Sequence, residues 1–176
     1  MRALTRLSVA AVLLGLSGCA ADPPGDMARE MPPVRVPAGY DAAVATPLIV
    51  LLHGYSFNGK GQDAYFGLSD LVDDYGFLMV APDGTRENGP DENRFWNAST
   101  SCCNFFESEV DDSAYLAEII DSIKSQYNVD DARVYLVGHS NGGFMSYRMA
   151  HDHSGTIAAI ASLAGADQSA GRPAPA

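Results

Sequence analysis

The segment Val134–Met149 constrains this chain more than any other stretch, because it joins an apolar run to a helical pattern through one tight turn. Residues 134–137 are β-branched, aromatic or aliphatic, which predicts a buried strand. Large apolar residues then recur at helical spacing at Phe144, Met145 and Met149. The chain must therefore pass from a strand into a helix around Ser140.

The turn itself has the spacing Gly-x-Ser-x-Gly, with Ser140 between Gly138 and Gly142. Between a strand and a helix this spacing predicts a nucleophile elbow, in which a serine stands on a sharp, strained turn. Glycines flank it because they have no Cβ to collide with nearby backbone. The backbone N–H of Asn141, at the start of the helix, is then placed to stabilise a developing negative charge. The alternative is a tight turn with an ordinary exposed serine.

The remaining periodicity predicts an α/β fold with a mostly parallel sheet. Residues 47–52 form a continuous aliphatic run that ends in His53-Gly54, as expected for a strand buried on both faces. We expect a loop over 55–61, a helix over 68–75 and a strand over 77–80. Strand, helix and strand in this order predict a βαβ unit. A further helix is predicted over 115–127 and a further strand over 157–163.

Residues 85–109 are predicted to form a long irregular loop that contains the only tryptophan, Trp96. Loops of this length in a compact domain are usually functional. We therefore expect Trp96 to form an aromatic wall for a substrate, with a core tryptophan as the alternative. Cys102 and Cys103 are adjacent in the same loop. We favour a bridge from one of them to a cysteine beyond residue 176; the alternatives are a disulfide between the neighbours and two reduced thiols.

The N-terminal residues have the pattern of a bacterial lipoprotein. Residues 1–18 combine two arginines with an apolar core too short to span a bilayer, which predicts a signal peptide. Leu16-Ser-Gly-Cys19 resembles a lipobox, so Cys19 is the expected site of lipidation; the alternative is a conventional signal peptide. Residues 19–40 are rich in proline and predict a flexible tether, and 41–176 form the folded domain. We expect an exported protein that is lipid-anchored in the bacterial cell envelope.

Together, His53-Gly54, Trp96-Asn97, Cys102-Cys103, Val110-Asp-Asp112 and the elbow resemble the polyhydroxybutyrate depolymerase / feruloyl esterase family of secreted α/β-hydrolases. The resemblance implies ester hydrolysis through an acyl-enzyme on Ser140. It also implies an oxyanion hole made by the backbone N–H groups of Tyr55 and Asn141. His53 belongs to the His-Gly turn, where we expect it to hold the loop by hydrogen bonding rather than to act as the base.

One departure from the family pattern concerns the other two members of a catalytic triad. α/β-Hydrolases place the acid and then the histidine beyond the serine. The sequence His151-Asp-His153 follows Ser140, but by helical rise it lies roughly 15 Å away, and a solvated helix end is the expected state. Asp167 follows the strand predicted over 157–163, whereas the family places its catalytic acid after one further strand. We therefore expect an α/β-hydrolase domain truncated after the strand that follows the elbow helix, and inactive as residues 19–176 alone.

Two functions remain open at this point. One is a serine esterase acting on polyhydroxyalkanoate-type polyester or on feruloyl or acetyl esters of polysaccharide, a reaction that needs no cofactor and no metal. The other is a non-catalytic, surface-anchored hydrolase relic that binds a glycan or a protein partner through the loop around Trp96. A net charge of −11 argues against nucleic acid as a partner, because the chain cannot neutralise a run of phosphates.

The proposed anchor leads to the first prediction. Replacing Cys19→Ser removes the thiol that would carry the lipid, so the mutant protein should leave the membrane fraction. The measurement is fractionation of cells expressing either form, with immunodetection of the protein. Unchanged membrane retention of Cys19→Ser would exclude a lipid anchor at this residue.

Overall fold

The computed structural model describes residues 29–168, and the predicted signal peptide, Cys19 and the final eight residues lie outside this range. The regular elements follow one another in this order: β1 Thr46–Leu52, α1 Gly59–Phe66, a 3₁₀ turn Ser69–Leu71, α2 Val72–Tyr75, β2 Leu78–Val80, β3 Thr85–Arg86, β4 Arg94–Phe95, α3 Asp112–Gln126, β5 Val129–His139, α4 Asn141–Asp152 and β6 Ala159–Leu163. None of the helices in this described range is long and apolar enough to cross a membrane.

Four parallel strands form the central sheet, in the order β2-β1-β5-β6. The two-stranded antiparallel pair β3–β4 lies apart from it. This arrangement confirms the predicted mostly parallel α/β-hydrolase sheet and the βαβ unit around β1 and β2. A single antiparallel bridge between Arg35 and Met79 extends the sheet beyond β2.

The side chains of β1 alternate between two hydrophobic clusters, one on each face of the sheet. Leu48, Val50 and Leu52 pack into the larger cluster with the inward faces of α3 and α4. Leu51 packs into the smaller cluster, together with Val72 and Phe77. Because both faces of the sheet are covered, β1 is an uninterrupted aliphatic run, as parallel strands require.

Two local predictions need correction. The stretch predicted as a loop over 55–61 contains the start of α1, because the Asn58 side chain caps the helix by accepting from the N–H of Gly61. The long loop over 85–109 is not wholly irregular, because it contains the β3–β4 hairpin.

The second half of the predicted tether is packed against the domain. The Arg29 guanidinium lies 2.7 Å from the Asp112 carboxylate and 3.6 Å from the centre of the Tyr115 ring. Arg35 pairs with β2 through backbone hydrogen bonds of 2.8 and 3.0 Å. Residues 29–36 therefore lie along the domain surface, because an arginine partner for a buried carboxylate stabilises this path.

The elbow helix α4 approaches β1 more closely than a side chain would allow. A Cβ on Gly142 would lie 2.3 Å from the carbonyl oxygen of Leu52, and one on Gly138 would lie 2.1 Å from the carbonyl oxygen of Gly142. Backbone atoms cannot move away as a flexible side chain can. The two outer glycines of the elbow are thus required by packing as well as by the turn.

The close approach predicts that Gly142→Ala is strongly destabilising. Overpacking against backbone should lower the free energy of unfolding by about 2–3 kcal/mol, measured by urea denaturation. Gly155→Ala is the matched control, because a Cβ there meets no atom within 4 Å. The control should be neutral or slightly stabilising. Equal effects of the two substitutions would contradict the close-packing argument.

Candidate active site

Ser140 lies between the end of β5 and the start of α4, as the sequence predicts. Its backbone has φ 51° and ψ −116°, a conformation that non-glycine residues rarely adopt. The Ser140 N–H donates to the carbonyl of Leu163 at 2.7 Å, and its own carbonyl accepts from the N–H of Phe144 at 3.1 Å. Such strain, of about 1–3 kcal/mol, persists only where surrounding structure imposes it. The elbow geometry predicted for Ser140 is present.

A cavity of about 320 Å³ opens beside Ser140. Its lining residues come from the His-Gly turn, from α1 and from the elbow: Gly54, Tyr55, Phe57, Gln62, Tyr65, His139 and Ser140. A larger cavity, of about 520 Å³, lies where residues 30–35 pass β2. We place the candidate site at the smaller one, because it contains the strained serine.

The structure brings Ser140 and Tyr55 to the same cavity. Tyr55 follows the carboxyl end of β1, next to the carboxyl end of β5, which is the edge where open α/β sheets place their sites. Asn141 is the first residue of α4, whose initial N–H groups have no acceptor within the helix. These positions are compatible with an oxyanion hole, and the assignment of Tyr55 and Asn141 stays a prediction.

The side chain of Tyr55 is held by the β3–β4 hairpin. Its hydroxyl lies 2.9 and 2.8 Å from the two oxygens of the buried Glu87 carboxylate. Asn93 donates to the same Glu87 at 3.0 Å. The N–H of Ser56 donates to the carbonyl of Arg94 at 2.9 Å. The turn that presents Tyr55 is thus fixed by contacts to Glu87, which directly follows β3, and to Arg94 of β4.

His53 is completely buried and both of its ring nitrogens are engaged by backbone groups. Nε2 accepts from the N–H of Gly84 at 2.8 Å, so this nitrogen carries no proton. Nδ1 is therefore the protonated nitrogen and donates to the carbonyl of Gly54 at 2.7 Å. Burial lowers the pKa of His53, which favours the neutral ring. The structure supports the predicted role of His53, which is to hold the loop rather than to serve as a base.

Trp96 does not form the expected substrate wall, because its side chain is fully buried. Its indole N–H donates to the carbonyl of His53 at 3.0 Å, and its ring packs against the His53 ring. The alternative interpretation, a core tryptophan that holds its loop, is the correct one. A lone tryptophan in a polar loop gives no local signal of burial, because the groups that cover it are distant in sequence.

The Asn141 side chain pairs with the backbone of Trp96 in both directions. Its Oδ1 accepts from the Trp96 N–H at 2.6 Å, and its Nδ2 donates to the Trp96 carbonyl at 2.9 Å. Nδ2 also lies 3.7 Å from the Cys102 sulfur. Asn141 is fully buried, so these hydrogen bonds replace all contact with water. The residue after the nucleophile is thereby tied to the loop 96–103.

The Val-Asp-Asp motif has a structural role as well. Asp111 caps α3, and the fully buried Asp112 accepts from the Asn97 N–H at 2.6 Å and the Thr85 hydroxyl at 3.0 Å. Burial raises the pKa of Asp112, while Arg29 and these donors oppose the shift. Arg148 joins α4 to this motif and to the Trp96 loop, because it donates to Asp111 at 3.1 Å and to the Asn97 carbonyl.

Cys102 and Cys103 form a disulfide with each other. The bridge to a cysteine beyond residue 176, which we favoured from the sequence, is therefore wrong for this structure. The pair lies in a tight turn in which Cys103 has a φ of 75°. This left-handed backbone conformation is a feature that sequence patterns rarely reveal.

The end of α4 is more packed than expected, since Asp152 is the only exposed residue among 151–153. His151 is buried, and its Nε2 lies 3.3 Å from the Asp167 carboxylate. Nε2 of His153 lies 3.0 Å from the Ser113 hydroxyl, which donates to Asp152 at 2.9 Å. α3 and the segment after β6 cover this helix end. None of these contacts involves Ser140, so we assign the catalytic base to neither histidine.

Three residues that line the cavity were not predicted from the sequence: Phe57, just before α1, and Gln62 and Tyr65 of α1. The capping residue Asn58 and the helical spacing of Gln62 and Tyr65 were the available signals. Tyr65 is 72% exposed and Phe57 is 41% exposed, so both present aromatic surface at the cavity.

The fold and the strained serine define the class of this protein, which is an α/β-hydrolase with a nucleophile elbow. A family model described as Chlorophyllase matches residues 30–174, so the chain belongs to that family. The predicted resemblance is confirmed by curated esterases. The chain is 30% identical over 136 residues to poly(3-hydroxyalkanoate) depolymerase C of Paucimonas lemoignei, covering 74% of this chain and 30% of that one.

Feruloyl esterase B of Neurospora crassa is 30% identical over 125 residues, covering 70% of this chain and 40% of that one. Among solved structures, the acetyl xylan esterase from Aspergillus awamori superposes with a TM-score of 0.55 at 23% identity, over 72% of this chain and 43% of that one. This likeness supports the fold. The chain spans 18% to 40% of the length of the curated relatives that it matches.

Burial of a neutral His53 predicts a loss of stability at acidic pH. The unfolded chain gains a proton on this residue below about pH 6.5, whereas the folded chain resists protonation because its pKa is lowered. The stabilisation is therefore complete above that pH and is lost progressively as the pH falls from there through the lower pKa of the folded state. Each unit of pKa depression contributes about 1.4 kcal/mol.

The measurement is urea denaturation at pH 7.5 and 5.5. His53→Gln should be less stable at both values, because one ring contact is lost, but should lose less stability between them than the wild type. An equal decrease in the two proteins would show that His53 does not cause the acid sensitivity.

Proposed function

We propose that this protein hydrolyses carboxylic esters through an acyl-enzyme on Ser140. The observation that carries the proposal is the strained backbone of Ser140, which holds the serine at the carboxyl edge of the sheet beside a cavity of about 320 Å³. Such strain is a feature of serine nucleophiles in this class of fold. Membership of the family and the names of its relatives support the same reaction.

In the proposed reaction the Ser140 hydroxyl attacks the ester carbonyl and the alcohol leaves, so the acyl group becomes bound to the serine oxygen. The N–H groups of Tyr55 and Asn141 stabilise the oxyanion that forms in each step. Water then releases the acid and restores the serine. Loss of one such donor typically costs about 10²–10³ in turnover.

The proposed substrates are esters of a polyester or of a polysaccharide, which are the substrates named for the relatives. Exposed aromatic side chains near the site support a polymeric or aromatic substrate. Tyr65 and Phe57 lie at the cavity, and Phe105, which is 65% exposed, packs edge-to-face on Tyr55. Aromatic rings provide large contact area at low cost in conformational entropy.

We further propose that the protein is exported and held at the bacterial envelope by a lipid on Cys19. The lipobox order of residues 16–19 supports this location. The alternative function, a relic that binds a partner through the loop around Trp96, is less well supported, because Trp96 is buried and offers no surface to a partner.

The test uses the full-length protein and a matched Ser140→Ala variant. A serine-directed phosphonate should label Ser140 in the wild type and nothing in the variant. Hydrolysis of p-nitrophenyl acetate should fall by about six orders of magnitude, as expected for loss of a nucleophile. Unfolding curves of the two proteins should agree closely, because Ser140 is replaced by a smaller residue. Labelling of another serine, or activity that survives in Ser140→Ala, would overturn the proposal.

A further inference from the structure

Gln62 of α1 has an unusual position for a glutamine. It is completely buried, yet it lines the cavity beside Ser140. Its Oε1 accepts from the N–H of Gly54 at 3.3 Å, directly before Tyr55. Because a backbone N–H can only donate, the amide atom that contacts it must be the oxygen Oε1. The other atom of the side-chain amide is therefore the nitrogen Nε2.

The amide nitrogen of Gln62 has no hydrogen-bond partner among the residues that the structure describes. Buried polar groups of folded proteins are nearly always paired, so each exception calls for a physical explanation. The side chain is not free to rotate away, because its oxygen is engaged with Gly54. Because Gln62 lines the cavity, this buried donor is held close to it.

The number of donors around the site indicates what this one binds. A carbonyl oxygen has two lone pairs. In the proposed reaction, which this inference rests on, the N–H groups of Tyr55 and Asn141 occupy both. A third donor is then available for a second acceptor oxygen in the substrate, close to the reacting carbonyl.

We propose that Gln62 is a specificity-determining residue whose Nε2 donates to a second oxygen of the ester substrate. That oxygen belongs either to a hydroxylated acyl group, as in a polyester, or to a hydroxylated alcohol, as in a sugar ester. Simple alkyl esters lack it, and they leave the buried Gln62 donor without a partner. Discrimination of this kind arises because an unpaired polar group in the site penalises the wrong substrate.

The test measures binding rather than turnover, in the full-length Ser140→Ala protein labelled with ¹⁵N. The side-chain amide signals of Gln62 are assigned by their absence in Gln62→Glu. Three esters are titrated: methyl butyrate, methyl 3-hydroxybutyrate and 2-hydroxyethyl butyrate. The last two carry the second oxygen in the acyl part and in the alcohol part, so they distinguish its two sources.

We expect one hydroxylated ester to shift the Gln62 amide signals and to bind about 3- to 10-fold more tightly than methyl butyrate, the range for one net hydrogen bond. The preference should disappear in Gln62→Met. It should also disappear in Gln62→Glu, which keeps an acceptor for Gly54 and lacks the amide donor. Gln126→Glu is the matched control, because Gln126 is exposed on α3 and bonds only within its helix, so the preference should persist.

Equal binding of all three esters, or a preference that survives in both Gln62 variants, would overturn the inference. So would the absence of any ester binding to Ser140→Ala when the phosphonate labels Ser140 of the wild type, a result that leaves the proposed hydrolysis intact. Conversely, a Gln62-dependent preference in Ser140→Ala, together with a wild-type Ser140 that resists the phosphonate, would overturn the proposed hydrolysis alone.

Discussion

The candidate site depends on one buried interaction, the pairing of the Asn141 amide with the backbone of Trp96. Two hydrogen bonds of 2.6 and 2.9 Å join the first residue of the elbow helix to a loop 45 residues away in sequence. From Trp96 the connection continues through the indole to the carbonyl of His53, at the end of β1. The elbow and the His-Gly turn, which both line the site, are therefore joined through Trp96 by groups that do no chemistry themselves. A buried network of this kind is costly to leave half-made, which favours a single arrangement.

A second set of contacts holds the same loop at the next residue, Asn97. Asp112 binds the Asn97 N–H, and Arg148 reaches from the elbow helix to Asp111 and to the Asn97 carbonyl. The Trp-Asn and Val-Asp-Asp motifs suggested the family from the sequence, and the structure gives the physical reason for them. They stabilise the loop that covers the buried side of the elbow. Such residues identify a family well and reveal little about its substrate.

The sequence predicted the features that depend on neighbouring residues. β1, α3, β5 and the turn at Ser140 follow from local periodicity and from glycine spacing, and the structure contains all of them. The misinterpretations concern contacts between distant residues. Trp96 is buried by packing against His53, 43 residues earlier in the chain. The start of α1 has a local signal in its capping residue Asn58, whereas the partly covered end of α4 likewise results from tertiary contacts that periodicity does not report. Gln62 was missed for the same reason, since its burial follows from α1 packing over the His-Gly turn.

The ion pair between Arg29 and Asp112 limits how far the domain could extend from the proposed lipid anchor. Because Arg29 is fixed to the domain, only residues 19–28 separate it from the proposed lipid on Cys19. Ten residues span at most about 36 Å when fully extended, which is comparable to the width of a small domain. A domain held so close to the bilayer would reach new substrate only as its lipid diffuses in the membrane. It would act on polymer pressed against the envelope, and chains a few protein diameters away would be beyond it.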